Sequence, residues 1–285
     1  MDFLADLFEL GLAYRTINNH RSAISAYHEK VEGLPTGKHQ LVCQLMQGIA
    51  NQRPPQPRYT KIWDVQQVLD YLVKMPNYDQ LNLSSLTLKV TGLLALTQIN
   101  RGSELKNLDI RFMKKINDSY IFSFNKPSKN SKKGCLPPDM KFPAYTEEEK
   151  LSPNERKLCP FTAIEYYLQR TTNLRGNMTK TQFLIGQIKP HNQVAKSTIA
   201  GWLKLLLSKS GIDTNIYKAH SYRSATSSKA FLTGLSIDDI LKHGNWSKAS
   251  VWQKFYNKPI LDKTSAYQNR VFSKEIALKG GPATP

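Results

Sequence analysis

The run Arg53-Pro54-Pro55-Gln56-Pro57-Arg58 constrains this chain more than any other stretch. Closely spaced prolines remove backbone donors and fix φ, so no helix crosses them and the connection they make is stiff. The 285 residues must organise on either side of it. The expected layout is a small helical unit over residues 1–52, a linker over 53–60, a larger domain over 61–278 and a flexible tail over 279–285.

Charge divides at the same place. Residues 1–57 carry Arg15, Arg21, Lys30, Lys38 and Arg53 against five acids and net zero, so the rest of the chain holds the whole formal charge of +18. Residues 106–141 are especially basic and read as strands and a loop, with Lys126, Lys129, Lys132 and Lys133 near a hairpin tip over Asn125–Gly134. A scattered basic surface serves solubility, but a one-sided excess favours nucleic acid, whose phosphates reward clustered cations through counterion release. No apolar run approaches the ~18 residues of a membrane span. The acidic Met1-Asp2-Phe3 start lacks the basic leader of a secretory signal. Cys43, Cys135 and Cys159 are odd in number and far apart, which argues against a disulfide scaffold and against structural zinc. A reducing compartment and a polyanionic partner are expected.

Hydrophobic periodicity gives a mainly α fold with a small antiparallel β-sheet. In the first fifty residues one amphipathic segment runs from Phe3 to Leu10 and stops at Gly11. A second puts Ile17, Ile24 and Tyr27 on one face, with Ser22, Ala23 and Ala26 small enough for close packing. A third sets Val42, Leu45, Met46 and Ile49 at helical spacing. A helix already under way at residue 2 reads as a fragment or a shortened gene product. Beyond the prolines, helices are expected at Trp63–Lys74, Ser84–Asn100 (apolar on most faces, hence buried), Phe161–Arg170 and Ser197–Ser210. Short ones follow at 221–233, at 237–242 capped by Ser236, at 248–256 capped by Ser247, and near 262–278; Tyr120–Phe124 alternates as a strand.

Two patterns carry chemistry. Arg101-Gly102-Ser103-Glu104-Leu105 follows the buried helix, and His220-Ser221-Tyr222-Arg223 opens another with His and Arg three apart on one face. Gly244-Asn245-Trp246-Ser247 and Phe255-Tyr256 come after. Guanidinium forks match the non-bridging oxygens of a phosphorane, and a phenol can attack phosphorus to give an ester that keeps the bond's energy. Taken singly, each residue has a plainer reading. Arg101 caps a helix, His220 and Trp246 pack, and Tyr256 is one of 13 tyrosines, with Tyr222 and Tyr267 as rival nucleophiles.

Together and in this order, the arginine box, the His-x-x-Arg box and the Trp/Tyr tail resemble the tyrosine recombinases (phage-integrase family). Phe3-Leu4-Ala5, Ser22-Ala23-Ile24-Ser25-Ala26-Tyr27, Trp63-Asp64-Val65 and Lys254-Phe255-Tyr256 look like the recombinases of eukaryotic DIRS-type retroelements. The resemblance covers about residues 3–260. It implies a tyrosine-recombinase catalytic fold behind a small N-terminal helical bundle, the two clamping double-stranded DNA in a C shape. It also implies a synaptic tetramer, no cofactor, no metal, no small-molecule substrate, no membrane, and a nuclear location.

By position, the resemblance makes Arg101 and Arg223 the phosphate clamp, His220 a phosphate contact that assists proton transfer, Trp246 a donor packed beneath the tyrosine, and Tyr256 the nucleophile. Lys129 is the general acid, with Lys132 or Lys126 next in line. Glu104 holds the arginine region, and Arg15, Arg21, Lys126, Lys132 and Lys133 contact DNA. The segment Leu261–Leu278 is expected to dock on a neighbour in such an assembly. The chain departs from the bacterial pattern at Ser224, where His is usual, in a Trp246-to-Tyr256 interval one residue longer, which aims Phe255 at the usual slot, and in having three N-terminal helices, one fewer than usual. A type IB topoisomerase, a non-catalytic DNA-binding descendant and, least, an RNA-binding protein are the competing readings.

Overall fold

The computed structural model describes residues 1–99, 101–127, 131, 134–145, 151–176 and 180–261. The chain divides into two compact units, Met1–Arg58 and Tyr59–Pro285.

The first unit holds α1 (Asp2–Glu9), α2 (Tyr14–Tyr27) and α3 (Gln40–Gln52), with a single 3-10 turn at Thr36–Lys38. Its core is Leu4, Ile17, Val42, Met46 and Ile49. Gly37 is required by close approach: a Cβ there would lie 2.8 Å from the Ser25 Cβ. Arg53 folds back to donate to the Phe8 and Leu12 carbonyls at 3.1 and 2.8 Å and lies over the Phe8 ring, closing the C-terminal end of α1. Two expectations fail on α2. Tyr27, its last residue, is 94% exposed, and Ser22, Ala23 and Ala26 face solvent; Ile17, Ile24 and Ser25 make the packed face instead.

The second unit contains α4 (Val65–Lys74), α5 (Leu83–Gln98), α6 (Gly102–Lys106), β1 (Met113–Ile116), β2 (Ser119–Phe122), β3 (Met140–Pro143), α7 (Pro153–Arg156), α8 (Pro160–Thr171), α9 (Lys196–Lys209), α10 (Ser221–Leu232), α11 (Ile237–His243) and α12 (Ala249–Phe255). Helix α5 is the axle of the unit. It is buried on every face from Leu86 to Leu96 and packs against α6, α8, α9 and α10. At Gly92 a Cβ would stand 2.3 Å from Leu206, so the missing side chain is what lets α9 approach. Its threonines cost nothing in unsatisfied polarity: Thr87, Thr91 and Thr97 donate to the carbonyls four residues back.

The three strands form an antiparallel sheet in the order β1-β2-β3, paired Met113 with Phe122 and Ser119 with Pro143. Phe122 packs edgewise on both Phe142 and Phe183, and Tyr120 packs on Phe161 of α8. The expected strand ends at Phe122, two residues early, although Ser123 still donates to the Phe112 carbonyl. The helix expected from Trp63 begins at Val65, because Asp64 caps it while Trp63 is buried and donates to Ser221. Helix α12 starts after Lys248 with no side-chain cap, so Ser247 does not serve as one. The helix expected near 262–278 lies outside the described residues.

Lys89 sits fully buried in mid-α5. Its ammonium is 4.4 Å above the Tyr78 ring and has no hydrogen-bond partner among the described residues. Burial, with help from the Lys157 charge, pulls its pKa down to about 8 from 10.5. Between those two values the unfolded chain binds the extra proton and the folded chain does not, so stability rises with pH across that window. Replacing Lys89 with Met is expected to remove this rise and to stabilise the protein at pH 7 by on the order of 2 kcal/mol. Urea midpoints for both proteins from pH 7 to 10 measure it.

Candidate active site

The end of α5 and the start of α10 are brought together by Arg223, whose guanidinium donates to the Ile99 carbonyl. Ile99 ends α5 in the left-handed region at φ 51°, and Arg101 then opens α6. Glu104, nearly buried, accepts from the Arg101 backbone N–H at 2.8 Å and from its guanidinium at 2.9 Å. One carboxylate thus fixes both the helix start and the side chain of Arg101.

His220 caps α10 in a helical conformation, so His220 and Arg223 share a face, as the spacing predicts. Arg223 is 1% exposed. Its Nη1 donates to the Ile99 carbonyl at 2.6 Å and its Nη2 to the Gly244 carbonyl at 2.7 Å, while its guanidinium carbon lies 4.1 Å from the Trp246 ring. Desolvation first, and the Arg101 charge second, draw its pKa down to about 10, with Glu104 and Tyr256 opposing. It stays cationic at neutral pH. Two arginines near enough to repel share one carboxylate, and that carboxylate is already committed to Arg101. Such a site has room for an anion.

Tyr256 follows α12 directly. Its hydroxyl is 3.2 Å from His220 Nε2, and its ring packs edgewise on Trp246 at 4.9 Å and near Arg223 at 5.5 Å. The longer interval after Trp246 therefore delivers Tyr256, and not Phe255, to the imidazole. Tyr222 is no rival: it is buried, burial pushes its pKa up, and its hydroxyl faces the Leu203 carbonyl. Tyr267 lies outside the described residues. The Trp246 indole N–H is buried and makes no hydrogen bond among the described residues.

Arg101, His220, Trp246 and Tyr256 line one groove of about 720 Å³, and Arg223 backs it. Lys196, Lys204 and Lys218 line it too, and the sequence reading missed all three. Their signal was present in part: Lys196, Ala200 and Lys204 recur every four residues on α9, a basic stripe with a small residue between. Lys126 is exposed and borders a separate polar recess of about 210 Å³ with Lys106 and Arg111. Lys129, Lys132 and Lys133 lie outside the described residues. Arg15 is exposed in the first turn of α2, and Arg21 is half-buried on the same helix.

No protein-family model and no curated protein matches this chain. Solved structures do. The integrase of transposon Tn1549 in complex with transposon right-end DNA is 14% identical, with a TM-score of 0.56, over 97% of this chain and 84% of that one. The XerH site-specific recombinase bound to a palindromic difH substrate, in a post-cleavage complex, is 11% identical with a TM-score of 0.56, over 97% and 70%. The chain has the fold of these tyrosine recombinases. Among the described residues no three His, Cys, Asp or Glu side chains gather as a metal-ligand group, and no helix is long and apolar enough to cross a membrane.

Gly244 is held to glycine by the Trp246 ring, since a Cβ would fall 1.9 Å from Cζ3. Gly244→Ala is expected to cost about 1–3 kcal/mol of stability by overpacking this corner. Denaturant unfolding of the two proteins, followed by tryptophan fluorescence, measures the loss.

Proposed function

We propose that this protein is a tyrosine recombinase, which cuts and rejoins DNA strands through a covalent bond between Tyr256 and a 3′-phosphate. The observation that carries the reading is the Tyr256 hydroxyl, held by the His220 imidazole beside the buried Arg223 guanidinium in a groove lined with cations.

In the proposed reaction, the Tyr256 oxygen attacks the scissile phosphorus and the bond from phosphorus to the 5′ oxygen breaks. The phenolic proton passes toward His220, and the departing 5′ oxygen takes a proton from a cation of the basic hairpin, the role the family resemblance gives to Lys129. Arg101 and Arg223 bear the charge that gathers on the non-bridging oxygens, with the Trp246 indole N–H as a further donor. A phenol ionises near pH 10 in water, so the arginines and the imidazole must lower the cost of forming its oxyanion. The reverse reaction with a 5′-hydroxyl from a second duplex completes strand exchange, which calls for several protomers on DNA.

Lys196, Lys204 and Lys218 then engage phosphates along the same strand. The exposed face of α2, with Arg15 and Asn19 and no carboxylate anywhere on the helix, adds contacts from the first unit. The motif wording shared with DIRS-type retroelements supports a mobile element as the source and the nucleus as the location.

A nicked suicide substrate, which loses its 5′-hydroxyl fragment after cleavage, tests the reading. The wild-type protein is expected to form a covalent DNA adduct. Tyr256→Phe is expected to bind the same DNA with unchanged affinity and to form none. Salt-sensitive binding with no adduct from the wild type would instead mark a non-catalytic DNA-binding protein, and relaxation of supercoils without paired sites would mark a topoisomerase. Replacing Lys196 or Lys204 with Ala is expected to lower the slope of log affinity against log salt by about 1 each, a loss seen equally on unrelated sequences.

A further inference from the structure

Helix α10 grips Tyr256 at both ends. The residue at its N-cap, His220, meets the hydroxyl, and two serines one and two turns further on meet the main chain. Ser224 Oγ donates to the Tyr256 carbonyl at 2.5 Å, and Ser228 Oγ donates to the same carbonyl at 3.0 Å. The Lys258 backbone N–H donates in turn to Ser228 Oγ at 2.9 Å. Both serines are fully buried. Residues four apart on a helix stand about 6 Å apart along its axis, so His220, Ser224 and Ser228 form one stripe on the helix face.

The alternative fate of a mid-helix serine is visible next door. Ser227 Oγ donates to the Arg223 carbonyl four residues back, which is where a serine with no tertiary partner goes. Ser224 and Ser228 turn away from their own helix and fill both acceptor positions of a single carbonyl. Neither is among the residues that line the groove.

We propose that Ser224 and Ser228 are positioning residues that set the reach of the Tyr256 hydroxyl by fixing its backbone carbonyl on the helix that carries His220 and Arg223. The inference rests on the reading of Tyr256 as the nucleophile. It gives Ser224 a task of its own at the position where the bacterial pattern has His.

The test uses the full chain and the suicide substrate at saturating DNA. Ser224→Ala with Ser228→Ala is expected to slow adduct formation about 100-fold, the effect of misplacing a reacting atom by around 1 Å, with DNA affinity unchanged. Ser224→Ala alone, which keeps the Ser228 bond and folds more securely, is expected to slow it about tenfold. Ser228→Thr, which keeps the hydroxyl, is expected to hold the wild-type rate. A second substrate carries sulfur in place of the 5′-bridging oxygen, a leaving group that departs without a proton. It is expected not to rescue the serine variants, because their fault lies in the attacking atom.

Adduct rates per folded molecule that match the wild type in both alanine variants would overturn the proposal. So would rescue by the sulfur substrate, or a loss confined to DNA affinity. If the wild type itself forms no adduct on either substrate, the fault lies in the reading of Tyr256 as a nucleophile, and the two failures are told apart.

Discussion

The buried guanidinium of Arg223 organises this site before any substrate arrives. It is bonded to the last carbonyl of α5 through Ile99 and to the carbonyl that ends α11 through Gly244, and it lies against the Trp246 ring. A charged group this deep is tolerated only when hydrogen-bonded, and removing such partners is far more costly than the bonds are worth in isolation. Three chain segments distant in sequence are therefore obliged to end at one point. Everything the site needs, from the turn that presents Arg101 to the indole under Tyr256, hangs on those two carbonyls.

The strain at Ile99 belongs to the same arrangement. A β-branched residue in the left-handed region costs roughly 1–2 kcal/mol. Ile99 repays it in two ways: its side chain packs with Ile240, Trp246 and Trp252, and its carbonyl accepts from Arg223. Glycine or asparagine would turn the chain with less strain but leave a hole in that cluster. The turn is thus set by tertiary contacts against local preference, which is the usual mark of a functional position.

What could be read in the sequence was whatever local periodicity or fixed spacing controls. The buried run of α5, the three amphipathic helices of the first unit and the shared face of His220 and Arg223 all follow from helical repeat alone. The sheet was only partly legible, because β1 is Met-Lys-Lys-Ile with three exposed residues and shows no alternation to detect. Tyr27 misled for the opposite reason, being apolar at helical spacing yet sitting at the last residue of α2 with nothing packed over it. Ser224, Ser228 and Gly244 were illegible in principle. Serine and glycine are weak helix formers wherever they stand; the roles of the serines exist only relative to Tyr256, some thirty residues on, and that of Gly244 only relative to how the Trp246 ring folds back over it. The arginine, histidine and tyrosine positions stood out through chemistry in order; the residues that hold them are chemically quiet.

The site also joins parts of unequal firmness. Arg101 stands where the large core around α5 ends, whereas Trp246, Tyr256 and α11–α12 rest on the small separate cluster of Ile99, Ile240, Trp246 and Trp252. Small clusters open at lower free energy than the main core. The chain counters this at Tyr256 by pairing nearly every neighbouring backbone group. The Tyr256 and Asn257 N–H groups share the Trp252 carbonyl, and two serines fill the Tyr256 carbonyl. Ile260 then forms a parallel bridge with Ile62, the Pro259 carbonyl accepting from Ile62 and Leu261 donating back to it. Pinned upstream by a helix end and downstream by that bridge, the backbone of Tyr256 has little freedom left, and the motion that remains is rotation of the phenol about its side-chain torsions. On the proposed reading of Tyr256 as the nucleophile, such a mounting lets the phenol swing between the His220 imidazole and a phosphate without the fold around it having to move.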